Sequence, residues 1–372
     1  MQFSRNVIDY SPLWYERTGP GTALDGRPRF DLEQFNEYLF HRLRDRVIRA
    51  GERGIYVAVM FFQGFSVDKR IHALTNAIGV NAFLGHPMHR DNNVNGIDGD
   101  PNGSGTGRQV HTLDVPVITR LQERFVAKII DTLGDLENVL WEISNETHRG
   151  SIEWQYHMIK FIRAYEAGRP RRHPIGMSCA APLRTECLLK SDADWIGPSS
   201  DDRKAGDEAP EMDCGKIVLA DTDHIGPQIS DPSYVWRCMF RGHHFCIMDP
   251  YMDVRIGSPR APHTEWEELR RQTGFSVRLA ARCGMQQLKP AAHLSSSGYC
   301  LAAEDQEYVA FLHRGRSLEL DLSDATGVFE SEWLDTETGN FFPGGQIAAG
   351  SRVTLTPACD AHRIVRLWKH IA

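Results

Sequence analysis

Val139–Glu146 reads V-L-W-E-I-S-N-E, and Lys216–His224 reads K-I-V-L-A-D-T-D-H. Each is a short apolar run that passes straight into carboxylates. Runs of this length and composition read as buried strands, and helical sequence lies between them. Acids at the ends of successive strands gather at one rim of a βα-repeat fold. Paired carboxylates at such a rim are what cleavage of a glycosidic bond requires.

Working outward, the first three quarters of the chain alternate helix and strand. Asp31 with Gln34 is a capping-box signature. It predicts a helix in which Phe35, Leu39, Leu43 and Val47 recur every four residues on one face. Gly51 and Gly54 stop it, and Ile55–Phe62 follows as a strand expected to be buried on both faces. Residues 81–111, rich in Asn, Asp and Gly, read as a loop, and a helix with Leu121, Phe125 and Ile129 on one face leads into Val139. Beyond Glu146 comes a helix over Ser151–Ala167, with Ile152, Tyr156 and Ile159 expected inward. Short strands are expected at Pro174–Ser178, Asp194–Ile196, Lys216–Ala220 and Phe245–Met248, with a helix over Ser233–Arg241. Thr264 with Glu267 opens a last helix before Gly284. This βαβα grammar implies a parallel sheet of the (β/α)8 TIM-barrel type. Only about six barrel strands are readable, whereas closure needs eight. S-P-L-W-Y-E-R-T-G-P-G from Ser11 reads as a rim loop, so the first two βα units look absent.

The pattern changes near Ala291. From Gly298 come only short alternating strands, at Tyr308–Leu312, Ser317–Leu322, Phe329–Leu334, Arg352–Thr356 and Arg363–Leu367. Glu337–Asn340 and Pro343–Gly345 read as turns between them. The expected organisation is an α/β barrel over 1–292 followed by a small antiparallel β-sandwich over 298–372.

Composition narrows the function. The 372 residues carry a net charge of −7 with 24% charged residues, and no Lys/Arg run forms an electrostatic footprint, so nucleic acid is not an expected partner. No apolar run approaches membrane-spanning length, and Met1–Arg5 is not a signal peptide; the compartment stays open. Eight cysteines without a C-x-x-C pair disfavour a zinc site or a disulfide framework and read mostly as buried thiols.

W-E-I-S-N-E resembles the strand-4 motif of the clan A glycoside hydrolases. That resemblance implies Glu146 as general acid/base and Asn145 as the amide that bonds the sugar 2-hydroxyl. Lys216–Asp221 resembles strand 7, which implies Asp221 as the nucleophile, although the clan has Glu there. The stretches R-T-G-P-G-T-A-L-D-G-R-P-R-F-D-L from Arg17, N-N-V-N-G-I-D-G-D from Asn92, D-T-D-H from Asp221 and M-D-P-Y from Met248 are similar to bacterial apiosidase-like barrels. G-Y-C-L-A from Gly298 resembles the C-terminal sandwich of those proteins, which carries the name "collagen-binding". Nothing in Gly298–Trp368 itself points to collagen.

The chemistry follows from the residue types. A proton donor must be protonated at rest, which partial burial and a neighbouring carboxylate favour in a Glu. Carboxyls about 5–5.5 Å apart imply retention of configuration, and about 6.5–9.5 Å inversion. The barrel resemblance favours retention. Asp223 competes with Asp221 for the nucleophile role; with His224 it otherwise binds substrate or forms a structural knot. Asp249 and Tyr251, at the next strand end, and Trp14 and Tyr15, in the expected rim loop, are further substrate-binding candidates. Trp141, Trp195 and Trp236 read as core residues before sugar platforms. Asp91–Asn102 matches an EF-hand loop at positions 1, 3, 5 and 6 but has Asn at position 12, so an Asx-rich loop is the default over calcium. His243 and His244 would face opposite ways on a strand and so share no ion. The reading is a cofactor-independent, metal-free glycosidase acting on an oligo- or polysaccharide. Its rivals are a catalytically degenerate carbohydrate-binding protein and a metal-dependent hydrolase.

Overall fold

Strands and helices alternate along the chain in two units, divided between Asp202 and Arg203. The computed structural model describes residues 2–4, 7–9, 13–67, 81–178, 185–198, 208–221, 231–247 and 267–369.

The first unit opens with two hairpins, β1 (Gln2–Ser4) with β2 (Val7–Asp9) and β3 (Tyr15–Thr22) with β4 (Pro28–Phe35). Then come α1 (Glu37–Gly51), β5 (Val57–Gln63), α2 (Pro116–Leu133) and β6 (Val139–Asn145). α3 (Ile152–Glu166), β7 (Ile175–Ser178), α4 (Thr185–Lys190) and β8 (Trp195–Gly197) complete it. Strands β5, β6, β7 and β8 pair in that order, all parallel.

The capping-box expectation at Asp31 is overturned. Residues 28–35 are a strand, and the helix begins only at Glu37. The Asp31 carboxylate instead accepts from Asn95 Nδ2 at 3.0 Å, from the Glu33 amide and from Gln34 Nε2. Pairing with β3 and the bond from Asn95 outweigh the local cue. The rim-loop expectation for Trp14–Tyr15 fails for the same reason, since Tyr15 starts β3 and is buried with Phe30, Leu32 and Phe83. Strand β5 is buried on one face only: Val59 and Phe61 are covered, while Ala58 and Met60 are exposed. On α3 the deepest residues are Trp154, Met158, Ile159 and Ile162, whereas Ile152 and Tyr156 are half-buried. The face is rotated because the Trp154 indole N–H finds a buried acceptor, Gln122 Oε1, at 2.9 Å.

The second unit holds β9 (Ile217–Asp221), α5 (Tyr234–Met239), β10 (His243–Cys246) and α6 (Glu267–Ala280). β9 and β10 are parallel, which brings the described parallel strands to six, four in one unit and two in the other. β10 begins two residues before its expected start.

The sandwich follows: β11 (Lys289–Pro290), β12 (Cys300–Ala303), β13 (Glu307–Phe311), β14 (Leu318–Asp321), β15 (Val328–Asp335), β16 (Phe341–Ala348), β17 (Arg352–Leu355) and β18 (His362–Trp368). One antiparallel sheet runs β11-β12-β13-β18-β15-β16, and β14 pairs with β17. Leu318, Leu320 and Leu355 pack with Cys300, Val365 and Leu367 in its core. Pro343–Gly345, expected as a turn, lies inside β16, where Gly344 is the extra residue of a bulge facing Ser331 and Glu332, and the bulge tolerates the proline. Trp236 of α5, Phe240 just past its end, and Phe275 and Leu279 of α6 pack with Phe311 and Ile364 of the larger sheet. Among the described residues seven cysteines are free thiols; Cys238 and Cys300 are buried as expected, and Cys246 and Cys359 are exposed.

Candidate functional site

Strand β6 alternates as its sequence requires. Val139, Trp141 and Ile143 are buried, and the Trp141 indole N–H reaches Glu166 Oε1 of α3 at 2.9 Å. Glu142 and Ser144 are the intervening residues. Ser178, the last residue of β7, donates to Glu142 Oε1 at 2.7 Å. Its neighbour Gly176 leaves room for an indole: a Cβ there would lie 1.8 Å from the Trp195 ring.

At its carboxyl end β6 delivers Asn145, in register with Gln63 of β5, and then Glu146. Glu146 is half-buried and has φ +46°, one of two described non-glycine residues in the left-handed region. Gly64 makes this turn possible. A Cβ on Gly64 would stand 2.3 Å from the Glu146 carbonyl oxygen, so the backbones touch where only glycine fits.

The residues after Glu146 are pinned in turn. Gln155 Nε2 donates to Thr147 Oγ1 at 2.8 Å, and Ser151 Oγ donates to the His148 carbonyl at 2.7 Å. His148 Nε2 donates to the Arg108 carbonyl at 3.0 Å, which ties the 81–111 loop to the segment behind Glu146. That loop is stitched by its asparagines. Asn93 Nδ2 donates to the carbonyls of Pro87, His89 and Ile97, while its Oδ1 accepts from the Ile97 amide. Asn95 Oδ1 accepts from the Leu32 amide at 2.8 Å. Two of the oxygens an EF-hand loop would offer to calcium are thus engaged by backbone N–H groups. Among the described residues no group of three or more His, Cys, Asp or Glu could hold a metal ion.

A cavity of about 190 Å³ lies under this loop, at the end of β5, with Trp14, Phe62, Met88, Val110, His111 and Phe125 among its walls. Trp14 packs on Phe40 and Phe125, with ring centroids 5.2 and 5.7 Å apart. Tyr15 also lines it, and burial pushes its phenol well above the ordinary range. His111 is 2% exposed and stacks on Trp154 at 4.5 Å. Burial, reinforced by His148 and His86, holds His111 neutral. His86 accepts from the Met88 amide at Nδ1, and burial brings its pKa down to about 4.

In the second unit Asp221 is the last residue of β9, half-buried and in register with Cys246. Glu146 and Asp221 therefore share one property, each standing where a parallel strand ends. Asp223, His224, Asp249 and Tyr251 lie outside the described residues. Trp141, Trp195 and Trp236 are core residues, and His243 is buried where His244 is exposed. Sequence reading passed over His86, His111 and Gln63. No period or spacing marks them: His86 and His111 lie in the loop over residues 81–111, which asparagine bonds hold in place, and Gln63 ends β5.

A family model described as a domain of unknown function, DUF6298, matches residues 9–193. No curated protein matches the chain. Among solved structures, one from Bacteroides vulgatus ATCC 8482 described as a "putative glycoside hydrolase" superposes with a TM-score of 0.58 at 12% identity, over 96% of this chain and 69% of that one. A glycoside hydrolase family 5 structure from the same organism gives a TM-score of 0.51 at 12% identity, over 68% and 67%. A structure named simply a glycoside hydrolase gives 0.51 at 12% identity, over 98% of both chains. The fold is thus a glycoside-hydrolase fold, mixed α/β with antiparallel sheets.

Proposed function

We propose that this chain is a glycosidase of the apiosidase-like kind, with a barrel part over 1–292 and a sandwich over 298–372. Glu146 gives its proton to the glycosidic oxygen as Asp221 attacks the anomeric carbon. Water deprotonated by Glu146 then releases the sugar from Asp221, with retention of configuration. Asn145 bonds the 2-hydroxyl, and Asp223, His224, Asp249 and Tyr251 contact the rest of the oligo- or polysaccharide, whereas Trp14 and Tyr15 serve the packing of the first unit. The observation that carries this reading is the left-handed backbone at Glu146, seated against Gly64 at a strand end. Such a conformation costs on the order of 1–3 kcal/mol and persists where the surroundings over-determine it, as functional sites do.

The test is release of reducing sugar from a panel of plant and microbial glycans. Glu146→Gln and Asp221→Asn should each abolish release, and a chelator should leave it unchanged. Binding without release by the parent protein would sustain the carbohydrate-binding alternative, which draws on the open face of β5 at Ala58 and Met60. Chelator-sensitive release would favour a metal-dependent hydrolase.

A further inference from the structure

One face of β18 changes character along its length. Ile364 packs with Phe275 and Leu279 of α6, but Arg366 and Trp368, the next residues on that face, line a cleft of about 690 Å³. Glu307 stands opposite Trp368 in the register and shares the face. The cleft lies between the turn after α6 and the adjoining ends of β13 and β18. Glu307 Oε2 accepts from the Gly284 amide at 2.8 Å, which ties the turn to the sheet and leaves the cleft preformed.

Charge does not select the occupant. Arg366 pairs with Glu307 and Glu332, Arg282 with Glu332, and Lys369 with Asp305, so three cations meet three carboxylates. The Cys283 thiol, also in the lining, is neutral, because burial and then Glu307 push its pKa up to about 12. What remains is hydrogen-bonding capacity. Arg366 donates from Nε to Glu307 and from Nη1 to Glu332, while its Nη2 has no partner among the described residues and is not sealed from solvent. The side-chain amides of Gln286, Gln287 and Gln306, exposed residues of the lining, also have no partner among the described residues. Exposed amides alone are ordinary, but these flank a half-buried indole. The Arg366 guanidinium braces Trp368, 4.5 Å from its ring centroid. A saccharide matches such a lining. Its C–H face packs on an indole, and its hydroxyls both donate and accept, as glutamine amides do. The volume falls within the roughly 300–1,000 Å³ of ordinary ligand sites, enough for more than a single sugar ring.

We propose that this cleft on the sandwich binds a neutral oligosaccharide, with a sugar ring against Trp368 and hydroxyls on Arg366 Nη2 and the amides of Gln286, Gln287 and Gln306. The site goes beyond the hydrolytic reading, because binding there needs neither Glu146 nor Asp221.

Calorimetric titration of the intact protein, and of its Glu146→Gln variant, with cellotriose, xylotriose, maltotriose and the acidic trigalacturonate tests it. At least one of the neutral three should bind saturably, and that binding should persist in Glu146→Gln. Trp368→Ala should weaken it about tenfold. Gln286→Ala and Gln306→Ala change exposed side chains and leave the fold intact; each should cost about fivefold, the worth of one net hydrogen bond. The proposal is overturned if none of the neutral three saturates, if the cleft variants weaken trigalacturonate binding but no neutral binding, or if all three cleft variants bind as the parent does. If Trp368→Ala does not fold, the two glutamine variants decide the matter.

Discussion

Replacing Gly64 by alanine should both loosen the first unit and displace Glu146. The added Cβ would lie 2.3 Å from the Glu146 carbonyl oxygen and 2.6 Å from that of Asn145, where ordinary contact begins near 3.4 Å. The end of β5 and the Asn145–Glu146 turn must therefore part by about 1 Å. Neither atom is the far end of a flexible side chain, so the strain falls on two backbones. Overpacking of this kind costs about 1–3 kcal/mol. For a unit of this size, each kcal/mol moves the melting temperature by roughly 2–4 °C. A shift of about 1 Å in a proton donor costs on the order of 100-fold in rate, so sugar release should fall further than stability does. Thermal melts and initial rates would be compared with Gly168→Ala, whose Cβ meets nothing within 4 Å and which should behave as the parent. If Gly64→Ala melts with the parent and keeps its activity, the contact at Glu146 is not what shapes the turn.

Three further outcomes follow from other parts of the chain. His173 Nδ1 lies 2.8 Å from Glu166 Oε1 and Nε2 lies 2.9 Å from the Leu136 carbonyl, so both ring nitrogens must donate and the buried ring carries a proton. Burial works against that charge, but the bonds to Glu166 and Leu136 prevail and raise the His173 pKa; burial likewise opposes charge on Glu166, and the bonds from His173 and Trp141 prevail and lower its pKa. The His173 contribution is thus full below pH about 6.5 and lost as pH climbs through its raised folded value; that of Glu166 is full above about 4.5 and lost as pH drops through its depressed one. Urea melts of His173→Gln across that range should show a deficit of about 3–5 kcal/mol in the window where both are charged, shrinking on either side. Asn93→Ala should destabilise by about 2–3 kcal/mol, because three carbonyls and an amide lose their partner, while EDTA leaves the parent's melt unmoved. Truncation after residue 292 should give insoluble protein, since Trp236, Phe240, Phe275 and Leu279 lose the apolar sheet they pack on; a soluble, folded product would contradict that packing.

Local sequence was enough for some of this protein. Apolar runs such as Val139–Ser144 and Ile217–Ala220 read as strands from their length and composition, and the spacing of Leu121, Phe125 and Ile129 reads as one face of a helix. Both are short-range patterns, legible wherever neighbours in sequence share one environment. The W-E-I-S-N-E stretch likewise marked the strand end at which Glu146 stands. Tertiary structure decided what distant partners impose. Asp31 looks like a helix cap until Asn95, 64 residues away, takes its carboxylate. Tyr15 reads as a loop residue until β4 pairs with β3 and buries it. The unusual backbone at Glu146 depends on Gly64 approaching from the end of another strand, and the cavity around His111 depends on a loop tied down by asparagines. Such contacts carry no periodic trace, because hydrogen bonds and close approaches between remote segments are set by where the chain has already folded.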